Sequence, residues 1–199
     1  MRILLIGASG DIGQAAYAEL DQRHDIICAG RTSGDITVDI ADMASVSAMY
    51  DQAGQVDAVV CCAGNVHFGA LPDMTPDQMR QGLHDKVMGQ INLVLAGFER
   101  ISPAGSFTLT SGVLDRDPIP MGTGAATANG ALAGFVKGAA IEMPHRQRIN
   151  VVSPGLLEVS VPRYGDWFAG HVPVPSARVG LAYAKAVEGA GTGQVIIVE

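Results

Sequence analysis

Four consecutive apolar residues, Ile3 to Ile6, run straight into Gly7-Ala8-Ser9-Gly10-Asp11-Ile12-Gly13. No other stretch constrains the fold as tightly. An apolar run this short, without alternation, suits a strand covered on both faces, as in a parallel sheet. The glycines suit a tight turn opening a helix, because glycine accepts positive φ and lets backbone approach a ligand. The first N–H groups of such a helix lack intrahelical partners and form a site for phosphate. A glycine turn placed after a strand and before an amphipathic segment is the context of dinucleotide binding, and Gly7, Ser9, Gly10, Asp11, Ile12 and Gly13 are its candidate contacts.

Downstream, strand and helix patterns alternate. A helix is predicted from residue 11 to about 23, capped by Ser9 or Asp11. Strands follow at 26–29 and 36–38, the second ending at Asp39. So few residues separate these two strands that the helix expected in their crossover is reduced to a loop. Then come a helix over 42–52, a strand over 56–62, and a long helix from a Thr75 cap to about Arg100, with Pro76 in its first turn. A strand over 105–111, a small-residue helix over 124–143 and a strand over 148–152 follow. After an irregular loop over 156–174 there is a helix to about 189 and a last strand over 194–198. This order predicts one doubly wound α/β domain of Rossmann type spanning 1–199, with a seven-stranded, mainly parallel sheet.

Composition narrows the setting. Of 199 residues, 48% are hydrophobic and 17% charged, enough for a well-covered interior. A net charge of −7 argues against nucleic acid and anionic membranes as partners. No apolar run approaches the ~20 residues of a membrane span, and because Met1-Arg2 leads directly into the first strand, no secretory leader is expected. Three cysteines give neither a disulfide framework nor zinc spacing, so no metal is expected and the expected compartment is the cytoplasm. Cys61 and Cys62 end an apolar run and read as small buried hydrophobes.

These motifs together resemble the short-chain dehydrogenase/reductase family over nearly the whole chain. Gly7-Ala8-Ser9-Gly10-Asp11-Ile12-Gly13 is similar to its Gly-x-x-x-Gly-x-Gly turn at Gly7 and Gly13, with the middle glycine one place earlier at Gly10. Cys62-Ala63-Gly64 stands where the family has Asn-Ala-Gly, and Asn150-Val151-Val152-Ser153-Pro154-Gly155 resembles its Asn-x-x-x-Pro-Gly turn beside the nicotinamide. The resemblance implies cofactor contacts at Ala63, Gly64, Pro154 and Gly155, and at Asp39 beside the adenine. Asp39 also reads as a turn or capping aspartate. Arg31 follows the second strand where an acidic residue would favour NAD. A guanidinium there, with Thr32 and Ser33 beside it, pairs with a 2′-phosphate, so NADP(H) is the expected cofactor. The alternative is a solvated turn arginine.

The expected chemistry departs from the family pattern. A Tyr-x-x-x-Lys pair would place a phenol and an ammonium one helical turn apart. Here Ala125 occupies the tyrosine position and Asn129 the lysine position. Lys86 stands on the preceding helix where the resemblance implies an asparagine, and is expected to reach toward Asn129. Ser111 matches the serine that orients a substrate oxygen, or else satisfies its own loop. Lys86, Asn129 and Ser111 are thus the candidate catalytic residues. Among other groups, His67 is a possible proton carrier or a loop-packing residue. His84 is weaker, Asp115, Arg116 and Asp117 read as a solvated run, and Tyr164 and Trp167 as a lid or as packing. Two functions fit: an NADP(H)-dependent oxidoreductase acting on a small carbonyl or alcohol with a degenerate catalytic set, or a non-catalytic NADP(H)-binding sensor or scaffold. Isomerase or dehydratase chemistry on the same fold is a third. Ala125, Ala128, Ala131, Ala133, Gly134, Gly138 and Ala139 leave the 124–143 helix little bulk, and the resemblance implies pairing through it as a homo-oligomer, dimer or tetramer.

Overall fold

A computed structural model describes residues 1–199. Seven strands form one sheet: β1 Arg2–Ile6, β2 Asp25–Gly30, β3 Ile36–Thr37, β4 Val56–Cys61, β5 Ile101–Thr110, β6 Arg148–Pro154 and β7 Val195–Val198. Their order is β3-β2-β1-β4-β5-β6-β7, and every neighbouring pair is parallel. The order reverses at β1/β4, so a crevice opens beyond the carboxyl ends of these strands. β2 and β3 are joined by Arg31–Asp35 alone and pair Ala29 with Ile36, so the shortened crossover expected from the sequence is present.

Alternate side chains of β1 enter opposite layers. Leu4 and Ile6 pack with Val59, Phe107 and Leu109 against helices α2 (Met43–Ala53), α4 (Gly89–Gly97) and α5 (Thr123–Ala139). Ile3 and Leu5 pack with Ala58, Val60 and Val152 against α1 (Asp11–Leu20) and α7 (Ser176–Glu188). Both faces are therefore dry, which is why the strands read as unbroken apolar runs. No helix is long and apolar enough to cross a membrane.

Several boundaries differ from expectation. α1 ends at Leu20, and neither Ser9 nor Asp11 caps it: Gly10 is the N-cap and contributes no side chain. Asp42 does cap α2, accepting from the Ala44 N–H. Thr75 and Gln78 form a reciprocal capping box. The long helix that follows is not uniform: α3 (Pro76–Gly82) passes through a π turn, Leu83–Met88, into α4. β5 starts four residues earlier than predicted. The 156–174 loop holds a short helix, α6 (Val161–Tyr164), between two 3₁₀ turns.

Candidate functional site

The glycine turn is fixed by contacts that exclude side chains. Gly7 has φ +84°, and a Cβ there would meet the Ala63 nitrogen at 3.0 Å, so the turn rests directly on the exit of β4. A Cβ on Gly13 would lie 2.0 Å from the Gly7 carbonyl oxygen, so α1 can sit down on the turn only as glycine. A cleft of about 280 Å³ opens beside it. Gly7, Ser9, Arg31, Thr32, Ala63 and Gly64 line it together, and Ser33, Val38, Ile40, Asn65 and Asp85 join them. Ser33 donates to Ser9 across the cleft at 3.2 Å. The apolar pair Val38 and Ile40, one either side of Asp39, was not singled out from the sequence; its alternation after β3 was the available signal.

Other candidates lie elsewhere. Asp11, expected at the cofactor, turns its carboxylate away: it accepts from Ser160 Oγ at 2.5 Å and pairs with Arg163 of α6. Ser160 first, and then Arg163, hold this carboxyl below the usual range. Only its backbone remains with Ile12 at the start of α1. Asp39 ties its own turn, accepting from the Ala41 N–H at 3.0 Å, and lies 3.6 Å from Arg31. Pro154 and Gly155 close β6, with the Gly155 N–H on the Val198 carbonyl.

The second half of the site is built around Lys86. The π turn carries its stem beneath Gly64 (φ +142°), where a Cβ would meet Lys86 Cγ at 2.6 Å. Its Nζ donates to Asn129 Oδ1 at 2.7 Å and to the Ser111 carbonyl at 3.2 Å. Asn129 Nδ2 in turn donates to the Gly112 carbonyl at 3.1 Å, so both ends of the 2%-exposed amide are engaged. Lys86, Asn129 and Ser111 therefore come together. Desolvation lowers the Lys86 ammonium to about 8, against the opposing pull of Cys61 and Asp115. Cys61, close by, is buried and its thiol is pushed up to about 12 by desolvation.

Ser111 Oγ is buried and has no hydrogen-bond partner. A buried unpaired hydroxyl is costly, and Thr108 Oγ1 and Gln147 Oε1 are in the same condition. Ala125, 4% exposed, packs with Val113, Leu114 and Ile119, so the tyrosine position is filled by apolar contacts. His67 touches the start of α5 through its backbone: a Cβ on Gly124 would lie 2.7 Å from its carbonyl oxygen. His84 meets Asp85 at 3.1 Å on the exposed side. Arg116 is not part of a solvated run. It donates to Ser153 Oγ at 2.6 Å and pairs with Glu199 at 2.8 Å, pinning the loop after β5 to β6. Trp167 lies 6.2 Å from both Phe68 and Tyr164, bridging the loop after β4 and the 156–174 loop.

The family model described as enoyl-(acyl carrier protein) reductase matches residues 6–164. Versicolorin reductase 1 of Dothistroma septosporum is 29% identical, with 79% of this chain and 70% of that protein covered. Versicolorin reductase stcU of Emericella nidulans is 26% identical over 79% of this chain and 69% of its own length. Among solved structures, the protein lin1944 from Listeria innocua matches with TM-score 0.98 and 48% identity over the full length of both chains. A small-chain dehydrogenase in complex with NADPH matches with TM-score 0.87 and 26% identity, over 100% of this chain and 96% of that one.

Proposed function

Because the chain belongs to the short-chain dehydrogenase/reductase family, we propose that it binds NADP(H) and moves a hydride between the nicotinamide and a small carbonyl, alcohol or related acceptor. The observation that carries this reading is the position of Lys86: an ammonium delivered by the π turn to Asn129 and Ser111, at the carboxyl ends of β4 and β5. There the charge that the helix bearing Ala125 and Asn129 lacks is supplied from the helix before it.

The residues fit the cofactor. The N–H groups that open α1, with Gly7, Ser9, Gly10, Ile12 and Gly13, suit a diphosphate. Arg31 and Thr32, at the far end of the cleft, suit a 2′-phosphate, for which the exposed guanidinium, now 3.6 Å from Asp39, is free to turn. The NADPH held by a structural neighbour supports the choice. Val38 and Ile40 suit the adenine, with Asp39 beside it; Ala63, Gly64, Pro154 and Gly155 suit the inner end. The nicotinamide supplies the hydride chemistry. Ser111 Oγ offers its unpaired hydroxyl to the substrate oxygen, Lys86 holds ribose hydroxyls and places positive charge near that oxygen, and Asn129 keeps Lys86 in place. Calorimetric titration with NADPH and NADH tests the reading: tight NADPH and much weaker NADH binding is expected, and binding of neither refutes it.

The apolar packing around Ala125 favours a second reading, a non-catalytic NADP(H) sensor or scaffold. NADPH binding with no turnover across a panel of carbonyls would select it. Residues 1–199 would act in the cytoplasm as one dinucleotide-binding domain. Copies would pair through the long helix and α5, where Met88 and Leu95 are exposed and a Cβ on Gly134 or Gly138 would meet nothing within 4 Å. A monomer by light scattering would refute the pairing.

A further inference from the structure

A buried alanine where a proton donor would stand sets a condition on the acceptor, provided that the site transfers hydride as proposed above. A ketone that takes hydride at carbon leaves an alkoxide, about as basic as hydroxide. A quinone that takes hydride at one oxygen passes the electron pair through its ring. Its other oxygen becomes a phenolate, whose conjugate acid lies near ~10, as for tyrosine. A general acid is worth roughly 10²–10⁴ in rate where it is needed. The first product needs one and the second does not.

The site is built for the second. Val113, Leu114 and Ile119 surround Ala125, and none of them carries a proton to give. The unpaired Ser111 hydroxyl can donate a hydrogen bond to an oxyanion without surrendering its proton. Lys86 adds charge, but Asn129 and the Ser111 carbonyl hold two of its N–H groups and Gly64 confines its stem. The rim is suited to flat rings. Phe68, Tyr164 and Trp167 are each between 39% and 44% exposed, and Trp167 stands 6.2 Å from both of the others. Two contacts tie this rim to the Ala125 site: Phe168 packs on the cluster around Ala125, and the His67 carbonyl beside Phe68 rests on Gly124. Exposed aromatic faces hold another aromatic ring by offset stacking and gain much less from an aliphatic carbonyl.

The geometry points to two-electron reduction of small aromatic quinones as the reaction of this site. The reduced nicotinamide loses one hydride and is oxidised. The quinone gains that hydrogen and its electron pair, forming one O–H bond as its ring becomes aromatic. A proton from solvent neutralises the phenolate, and hydroquinone leaves.

Trp167 is the only tryptophan, so its emission reports on the rim directly. Protein saturated with NADP⁺, which cannot turn over, is titrated with naphthoquinone and with α-tetralone, a ketone of the same bicyclic shape. NADPH binding and steady-state oxidation of NADPH are measured alongside. Saturable quenching by the quinone is expected, weakened severalfold by Phe68→Ala, with kcat/KM for the quinone at least about 10²-fold above that for the ketone. NADPH binding without saturable quenching overturns the inference and leaves the function reading intact. Ketone reduction as fast as quinone reduction also overturns it, and identifies Lys86 as the donor if the rate falls above pH 8. Failure to bind NADPH overturns the inference together with the reading it rests on.

Discussion

Replacing Lys86 by methionine keeps most of the stem that packs beneath Gly64 and removes the ammonium. Burial lowers this group from the usual 10.5 to about 8. Below about pH 8 it is charged in the folded and unfolded chain alike, and the folded chain bears the full desolvation cost. Between about 8 and 10.5 the unfolded chain keeps a proton that the folded chain has released, so the cost fades as pH rises, and above 10.5 it is gone. At about 1.4 kcal/mol per pKa unit, the cost is on the order of 3 kcal/mol. Wild-type stability alone does not display this rise. The thiols of Cys61 and Cys62, pushed up to about 12 by burial, and the buried phenols of Tyr50 and Tyr183 act with the opposite sign, because the unfolded chain ionises them first. Comparison with Lys86→Met cancels those contributions except for the part of the Cys61 shift that Lys86 itself causes. Urea unfolding followed by circular dichroism at pH 7.5 and pH 10 should therefore shift the difference in wild type's favour by about 2 kcal/mol. With a slope of about 2 kcal/mol/M, that is about 1 M in the relative midpoints. A difference that stays flat across this range would refute a buried charge at Lys86.

Arg31→Glu should weaken NADPH binding about 10²-fold and change NADH binding much less, measured by calorimetry, because it replaces a phosphate-pairing donor with a repelling charge. Gly64→Ala should cost about 2 kcal/mol or more in urea unfolding, from a Cβ 2.6 Å from Lys86 Cγ and a positive φ. Lys86→Ala in the same chain should recover only part of that loss, because Lys86 Cβ at 2.9 Å and Cα at 3.0 Å remain; simple additivity would show that Lys86 Cγ is not the source of the strain. Asp11→Asn should loosen the 158–164 segment, speeding trypsin cleavage after Arg163 about tenfold at pH 7. Since this carboxyl is held below its usual value, the clasp is complete above about pH 4 and is lost as pH falls through the lowered value; equal cleavage rates of the two proteins at pH 7 would dismiss the clasp.

The sheet was legible because its strands are covered on both faces, and continuous burial leaves continuous apolar runs such as Ile3–Ile6 and Val56–Cys61. The β2–β3 shortcut was legible from chain length alone. The meeting of Lys86 with Asn129 followed from the family resemblance, against which a charge is missing at Asn129 and present at Lys86. The π turn that delivers Lys86 left no sign, because one widened turn barely alters the spacing of Leu83, Val87 and Ile91. The partners of Asp11 lie 149 and 152 residues away, and those of Arg116 lie on β6 and at Glu199. Local pattern cannot see such pairings: a charged residue reads as solvated until the fold brings its counter-ion to it. The capping of α1 failed for a simpler reason, since the backbone of Gly10 already occupies the cap.

An i→i+5 ring encloses one more residue than an α turn, so Leu83–Met88 works as a stored insertion. Deleting a single residue there would convert the segment to ordinary helix, and α3 and α4 would stay joined without a loop to absorb the change. The wider turn spreads the extra residue over a smaller rotation per residue, so α3 and α4 would keep nearly the same facing and only side chains within the turn would be re-aimed. Length variation at this one place in the chain thus re-aims a side chain without altering the sheet, and a chain one residue shorter here would keep its core while withdrawing its ammonium from Asn129.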